Sequence, residues 1–187
     1  MTAGRGVAHV TRERERARRV YLGLGSNLGD RVSRLRAALD ALHVAGLEIE
    51  VVSAVYDTPP WGVTAQPRFA NIVAVGRTRL EPFALLTLVK AIETDAGRDQ
   101  DAERWSARPL DVDILLIEGE VIDSELLSIP HVRMHERGFV LVPLAEVAPR
   151  VRHPLFGLTA SELLDELQAI EREGIEVIEP AGWYAPA

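Results

Sequence analysis

The chain has 187 residues, with 21 lysines and arginines against 28 aspartates and glutamates, a net charge of −7, and no cysteine. That length suits one domain whose core needs no staples, and the missing cysteines exclude disulfides, thiolate metal sites and a cysteine nucleophile. The acidic balance argues against non-specific nucleic-acid binding as the main business.

Residues 1–19 hold six arginines and two glutamates, which leaves −11 for the remainder. The run TRERERARR has helical composition but no apolar stripe to bury. Residues 1–18 therefore read as a basic, mobile or weakly helical extension, 19–180 as a single domain and 181–187 as a tail. A strand is expected over 20–27 (VYLGLGSN), ending in a glycine-bearing turn. A helix over 30–42 follows, with Val32, Leu35, Leu39 and Leu42 at helical spacing. EIEVVSAVY (48–56) is β-branched and strand-like, and Thr58-Pro59-Pro60-Trp61-Gly62 breaks it into a loop. A third strand runs over 69–78, and a second helix over 82–96 carries proline in its first turn. The strand LDVDILLI comes after an arginine-rich loop, and Gly119-Glu120 then turns the chain into a short hairpin. Further helical stretches over 131–147 and 159–174 are punctuated by Pro130, Pro143, Pro149 and Pro154. The order β-α-β-β-α-β matches a ferredoxin-like α+β fold, two helices on one face of an antiparallel sheet, with C-terminal helical additions. No apolar run approaches a membrane span and the N-terminus has no signal-peptide core, so a cytoplasmic protein is the default.

The chemistry concentrates in GRDQDAERWSARPLDVD (97–113). Asp111 and Asp113 are two apart on a strand, so their carboxylates share a face, roughly 6–7 Å apart at the backbone. Such a pair suits Mg²⁺, which favours one or two carboxylates plus substrate phosphates. Arg98, Arg104 and Arg108 supply the opposite charge that a polyphosphate needs, and Trp105 offers a ring to stack on. A solvated strand face with surface ion pairs to Asp99, Asp101 and Glu103 is the competing reading. Leu110, Val112, Ile114 and Leu116 form the strand's other, apolar face.

GLGSNLGDR (23–31), YDTPPWG (56–62), RFANIVAV (68–75), the ERWSARPLDVDILL block and IPHVRMHERGFVLVPLAEVAP (129–149) occur in one order. Together they closely resemble the 6-hydroxymethyl-7,8-dihydropterin pyrophosphokinases of folate biosynthesis, over about residues 20–149. The resemblance implies transfer of pyrophosphate from MgATP to the hydroxymethyl of a reduced pterin, releasing AMP, without a Walker A loop. None is present here, so GLGSNLGD is read as structural: Gly25 and Gly29 for tight turning, Asn27 and Asp30 for capping.

Carried over position by position, the resemblance places Asp111 and Asp113 on two Mg²⁺ ions. Arg98 and Arg108 become the catalytic phosphate clamp. Glu93, Arg104, Trp105, Ile114, His131 and Arg137 join Arg98 and Arg108 around ATP, although Glu93 reads equally as an exposed helix carboxylate. The pterin falls to Thr58, Pro59, Trp61, Phe69, Asn71, Trp105, Asp111 and Phe139, an aromatic grip with an amide aimed at the ring's donor–acceptor edge. Gln100 stands where relatives often carry arginine, and Lys90 and Val132 where they can carry Gln and Tyr, which touches ATP affinity. The expected partners are the two small-molecule substrates, with no nucleic acid, no membrane and a monomeric state. Two other readings remain: a different Mg²⁺-dependent nucleotidyl or phosphoryl transferase, and a non-catalytic ferredoxin-like binding module. The pterin-side residues argue against the first, and the clustered charge around Asp111 and Asp113 against the second.

Overall fold

The computed structural model describes residues 17–62, 65–97 and 107–185. The first five of the central sheet's six strands are β1 (Arg18–Ser26), β2 (Glu48–Val52), β3 (Val55–Thr58), β4 (Phe69–Thr78) and β5 (Asp111–Ile117). All pair antiparallel, in the order β5-β1-β4, with β2 and β3 lying end to end along the far side of β4. With β2 and β3 counted as one strand, this is the ferredoxin-like order. The break falls at Ser53 and Ala54. There the Ser53 hydroxyl donates to the Ala54 carbonyl and accepts from Val73 N–H. A side chain thus replaces ladder bonds where the backbone kinks.

Helices α1 (Arg31–Val44) and α2 (Pro82–Asp95) cover one face. Gly29, at φ +63°, turns the chain off β1, and Asp30 caps α1 by accepting from Ser33 N–H at 3.1 Å. Leu35, Ala38, Leu39 and Leu42 then form the buried stripe that meets Val20, Leu22, Leu24, Ile72 and Val112. Pro82 starts α2, whose Leu85, Val89 and Ile92 join the same core. Each fully buried leucine here contributes on the order of 2 kcal/mol.

The C-terminal additions do not extend this layer. Helices α3 (Gly138–Val147) and α4 (Ala160–Glu166) pack on the opposite face, around Tyr21, Val73, Val75 and Leu115. The sheet is therefore covered on both sides, and α3 comes to lie beside the polar end of β5. Pro143 sits inside α3 rather than ending it. Leu116 joins this second core instead of the face of Val112, because the β1–β5 register shifts between Tyr21 and Leu22. The expected hairpin after Gly119 is instead a separate two-stranded ribbon, β6 (Ile122–Asp123) with β7 (Ser128–Ile129).

A last strand, β8 (Glu176–Glu179), pairs with β3 and was not expected from the sequence. Beyond it Trp183 donates to the Ser53 carbonyl at 2.9 Å, and Tyr184 to Asp40 at 3.0 Å. Among the described residues no helix is long and apolar enough to cross a membrane.

Candidate active site

Alternation along β5 sends Val112 and Ile114 into the core under α1 and α2, and Asp111 and Asp113 toward the α3 side. β5 is an edge strand, and its free Val112 N–H is satisfied by Glu93 Oε1 from α2 at 2.8 Å. Glu93 is 1% exposed and its other oxygen accepts from Lys90 at 2.9 Å. Burial raises its pKa against these hydrogen bonds. The exposed-carboxylate reading of Glu93 is therefore corrected: the residue ties the aspartate strand to α2.

Each aspartate faces one arginine. Arg108 Nη1 lies 2.9 Å from Asp111 Oδ2, and Arg137 Nη1, brought in at the start of α3, lies 3.5 Å from Asp113 Oδ2. Burial, then the like charge of Asp111, pushes Asp113 up to about 6 despite Arg137, Lys90 and Arg108. Its side chain still keeps 31% of its surface, so it borders an open cleft. Two hard oxygen ligands whose mutual repulsion disfavours ionisation are what a divalent cation relieves, and the donor set fits Mg²⁺.

His131 stands beside this pair, its Nε2 3.9 Å from Asp113 Oδ2. Its Nδ1 accepts from Arg133 N–H at 3.2 Å, which leaves the ring proton on Nε2. Burial and the nearby Arg137 lower its pKa to about 4, so the ring is neutral and the pair is not a salt bridge.

The other half of the cleft is built on β3 and β4. Asn71 Nδ2 donates to Thr58 Oγ1 at 2.7 Å, and Asn71 is 7% exposed. Gly25 of β1 lies directly opposite both Asn71 and Asp111. A Cβ on Gly25 would stand 2.5 Å from Asn71 Oδ1 and 3.7 Å from the Phe69 ring. Gly25 is thus no turn residue. It is a strand position kept bare so that the amide can lie across the floor, with the acidic pair on the far side, about 10 Å away at the backbone. Arg137 roofs this region, its guanidinium 5.1 Å from the Trp61 ring and 5.5 Å from Phe139.

Asn27, expected to cap, does something else. It is 2% exposed; its Oδ1 accepts the Arg108 amide at 2.8 Å, and its Nδ2 reaches Gln66 Oε1 and the Pro67 carbonyl. The residue joins the stem of the Arg108 loop to the stem of the segment leading into Phe69. Only the glycine–serine–asparagine turn marked it in the sequence, and that signal does not distinguish a cap from a cross-loop tie.

The structure thus brings together Arg108, Asp111, Asp113, His131, Arg137, Trp61 and Phe139, with Thr58, Phe69 and Asn71 across Gly25. Pro59 is exposed at the loop rim. The side chain of Ile114 is in the opposite core, so any nucleotide contact falls to its main chain. Arg98, Gln100, Arg104 and Trp105 lie outside the described residues, as do residues 1–16.

A sequence profile of the 7,8-dihydro-6-hydroxymethylpterin-pyrophosphokinases matches residues 21–149. The chain belongs to that family. A 2-amino-4-hydroxy-6-hydroxymethyldihydropteridine pyrophosphokinase of Aquifex aeolicus is 42% identical over 147 residues, 79% of this chain and 91% of the relative. One of Bacillus subtilis is 46% identical over 132 residues, 70% and 78% of the two chains. A Plasmodium falciparum HPPK-DHPS crystal structure (S436F/A437G/A613T triple mutant with STZ-DHP) superposes with a TM-score of 0.65 at 18% identity, covering 80% of this chain. This chain spans 43% of that longer one, and the likeness shows the fold. As a pyrophosphokinase of this family the chain is an ATP-dependent transferase of folate synthesis. The acidic pair on β5 and the amide on β4 both lie within the matched span.

Proposed function

We propose that the cleft transfers pyrophosphate from MgATP to the hydroxymethyl group of 6-hydroxymethyl-7,8-dihydropterin. The observation that carries this reading is the pairing across Gly25. A neutral amide wedged beside aromatic rings and a cation-binding carboxylate pair stand one bare strand apart. A pterin edge on Asn71, its face against Phe139 or Phe69, directs its hydroxymethyl arm toward Asp111. Thr58, Pro59 and Trp61 would close that side, and the family resemblance assigns Trp105 to the same substrate.

Asp111 and Asp113 would hold two Mg²⁺ ions, and the metal would supply charge neutralisation to the triphosphate. The hydroxymethyl oxygen gives up its proton to solvent and bonds to the β-phosphorus, the bond from that phosphorus to the α-bridging oxygen breaks, and AMP leaves with the electron pair. Arg108 presents a fixed fork to the charge that moves in this step, a role that the family resemblance also gives to Arg98. Arg104, Arg137 and neutral His131 orient the nucleotide. Arg108, already paired with Asp111, exchanges that carboxylate for a phosphate partner when ATP arrives. We place this activity in a cytoplasmic monomer with no nucleic-acid or membrane partner.

Incubation of the protein with MgATP and the dihydropterin should release AMP in step with the pterin diphosphate. Release of ADP in its place overturns the reading.

A further inference from the structure

Trp61 is held from both sides. Its ring receives the guanidiniums of Arg137 and Arg133, at 5.1 and 5.6 Å, while its indole Nε1 donates to Glu171 Oε2 at 3.0 Å. Glu171 lies beyond the matched family span, in a 3₁₀ turn (Ala169–Arg172) between α4 and β8. Its own backbone is fixed in turn. A Cβ on Gly138 would stand 1.8 Å from the Glu171 carbonyl oxygen, so only glycine lets the first residue of α3 lie against it. Three residues further on, the Gly174 carbonyl accepts from Arg68, which pairs with Asp57 on β3 next to Thr58.

One short C-terminal segment therefore touches the start of α3, the Trp61 loop and the base of β3. We propose that Glu171 is a positioning residue for pyrophosphoryl transfer, acting on Asp113 through Trp61 and Arg137. The physical chain is short. A carboxylate on the indole N–H fixes the ring's orientation and pushes electron density onto its face, which strengthens its hold on a guanidinium. Arg137, steadied on that face, keeps its 3.5 Å approach to Asp113. Glu171 itself touches no substrate. The proposal rests on Trp61 and Arg137 belonging to the site, as read above.

Steady-state kinetics of Glu171→Ala, Glu171→Gln, Trp61→Phe, Trp61→Ala and the Glu171→Ala/Trp61→Phe double variant test it, with Glu173→Ala as an exposed control on the same segment. Glu171→Ala should lower kcat/KM by about tenfold, the scale of one hydrogen bond to a charged acceptor. It should also raise the Mg²⁺ concentration needed for half-maximal rate. Glu171→Gln keeps an acceptor oxygen and should recover part of the loss. Trp61→Phe keeps a ring but no N–H and should cost about as much as Glu171→Ala, with the double variant no worse than either. Unfolding temperatures report folding separately, and Glu173→Ala should match the parent protein. Additive losses, or a Glu171→Ala enzyme with parental kcat/KM, overturn the relay. If Trp61→Ala is also silent, the placement of Trp61 in the site falls as well. A damaging Trp61→Ala beside a silent Glu171→Ala removes the relay alone.

Discussion

Asn27 Oδ1 accepts the backbone N–H of Arg108 at 2.8 Å, and the Asn27 N–H returns a longer bond to the Arg108 carbonyl at 3.3 Å. Because the same side chain also bonds Gln66 and Pro67, two loop stems meet on one buried amide. Asn27→Ala leaves the Arg108 N–H and the Pro67 carbonyl without this partner, at a cost of about 1–3 kcal/mol. Unfolding midpoints in urea should fall by that amount. Turnover should fall further than stability alone explains, since Arg108 loses its anchor. Asn27→Asp keeps the acceptor for Arg108 but presents a second acceptor to the Pro67 carbonyl, so it should recover little. An Asn27→Ala protein with parental midpoint and rate contradicts the tie.

Gly25→Ala isolates the proposed pterin half of the site. The added methyl meets Asn71 Oδ1 at 2.5 Å and forces the amide off the Thr58 hydroxyl. Asp111 and Asp113 are on the neighbouring strand and keep their arginine partners. Pterin KM should therefore rise by at least about tenfold, with ATP affinity within a factor of about two. Isothermal titration of each substrate separates the two halves, and equal weakening of both contradicts a divided floor.

Much of this was legible in the chain. The β5 alternation and the helical stripes of α1 and α2 depend on local periodicity, and the aspartate pair and sheet order follow from it. Gly25 and Asn27 do other work than their local sequence suggests, and Glu93 is buried rather than exposed, because each is set by a residue far away in sequence. Asn71 decides that Gly25 stays bare, Arg108 decides where Asn27 points, and the free edge of β5 turns Glu93 inward. The second helical layer escaped for a related reason. Nothing local in α3 says which face of the sheet it covers, and a one-residue register shift moved Leu116 to that side.

Asp113 gives the metal-free protein a pH signature. Its folded pKa, about 6, lies above the ordinary aspartate value of 3.8, so the folded state holds this proton more tightly than the unfolded chain. Its contribution to stability is then full below about pH 4 and is lost as pH rises through about 6. Asp113→Asn removes that titration. The difference in unfolding temperature, Asn variant minus parent, should therefore grow between pH 4 and 7 in chelator. Saturating Mg²⁺ should shrink it by favouring the ionised carboxylate in the parent. A difference independent of pH would falsify the assignment.

Arg108 distinguishes charge from geometry. It sits 2.9 Å from Asp111, and in the proposed reaction its fork meets charge that appears on the bridging and terminal oxygens only as the bond breaks. An interaction gained mainly in the transition state lowers kcat with little change in ground-state affinity. Arg108→Ala should thus reduce kcat by about 10²–10³ while pterin affinity moves little, the range seen when one transition-state donor is removed. Arg108→Lys restores the charge but not the two parallel N–H bonds, so it should recover only part of the rate. Asp111→Ala provides the contrast: it takes away a proposed metal ligand, and added Mg²⁺ should rescue it at most weakly. Single-turnover rates at saturating MgATP decide the matter. If Arg108→Ala raises substrate KM but keeps the parental maximal rate, Arg108 binds ATP without acting on the transfer step.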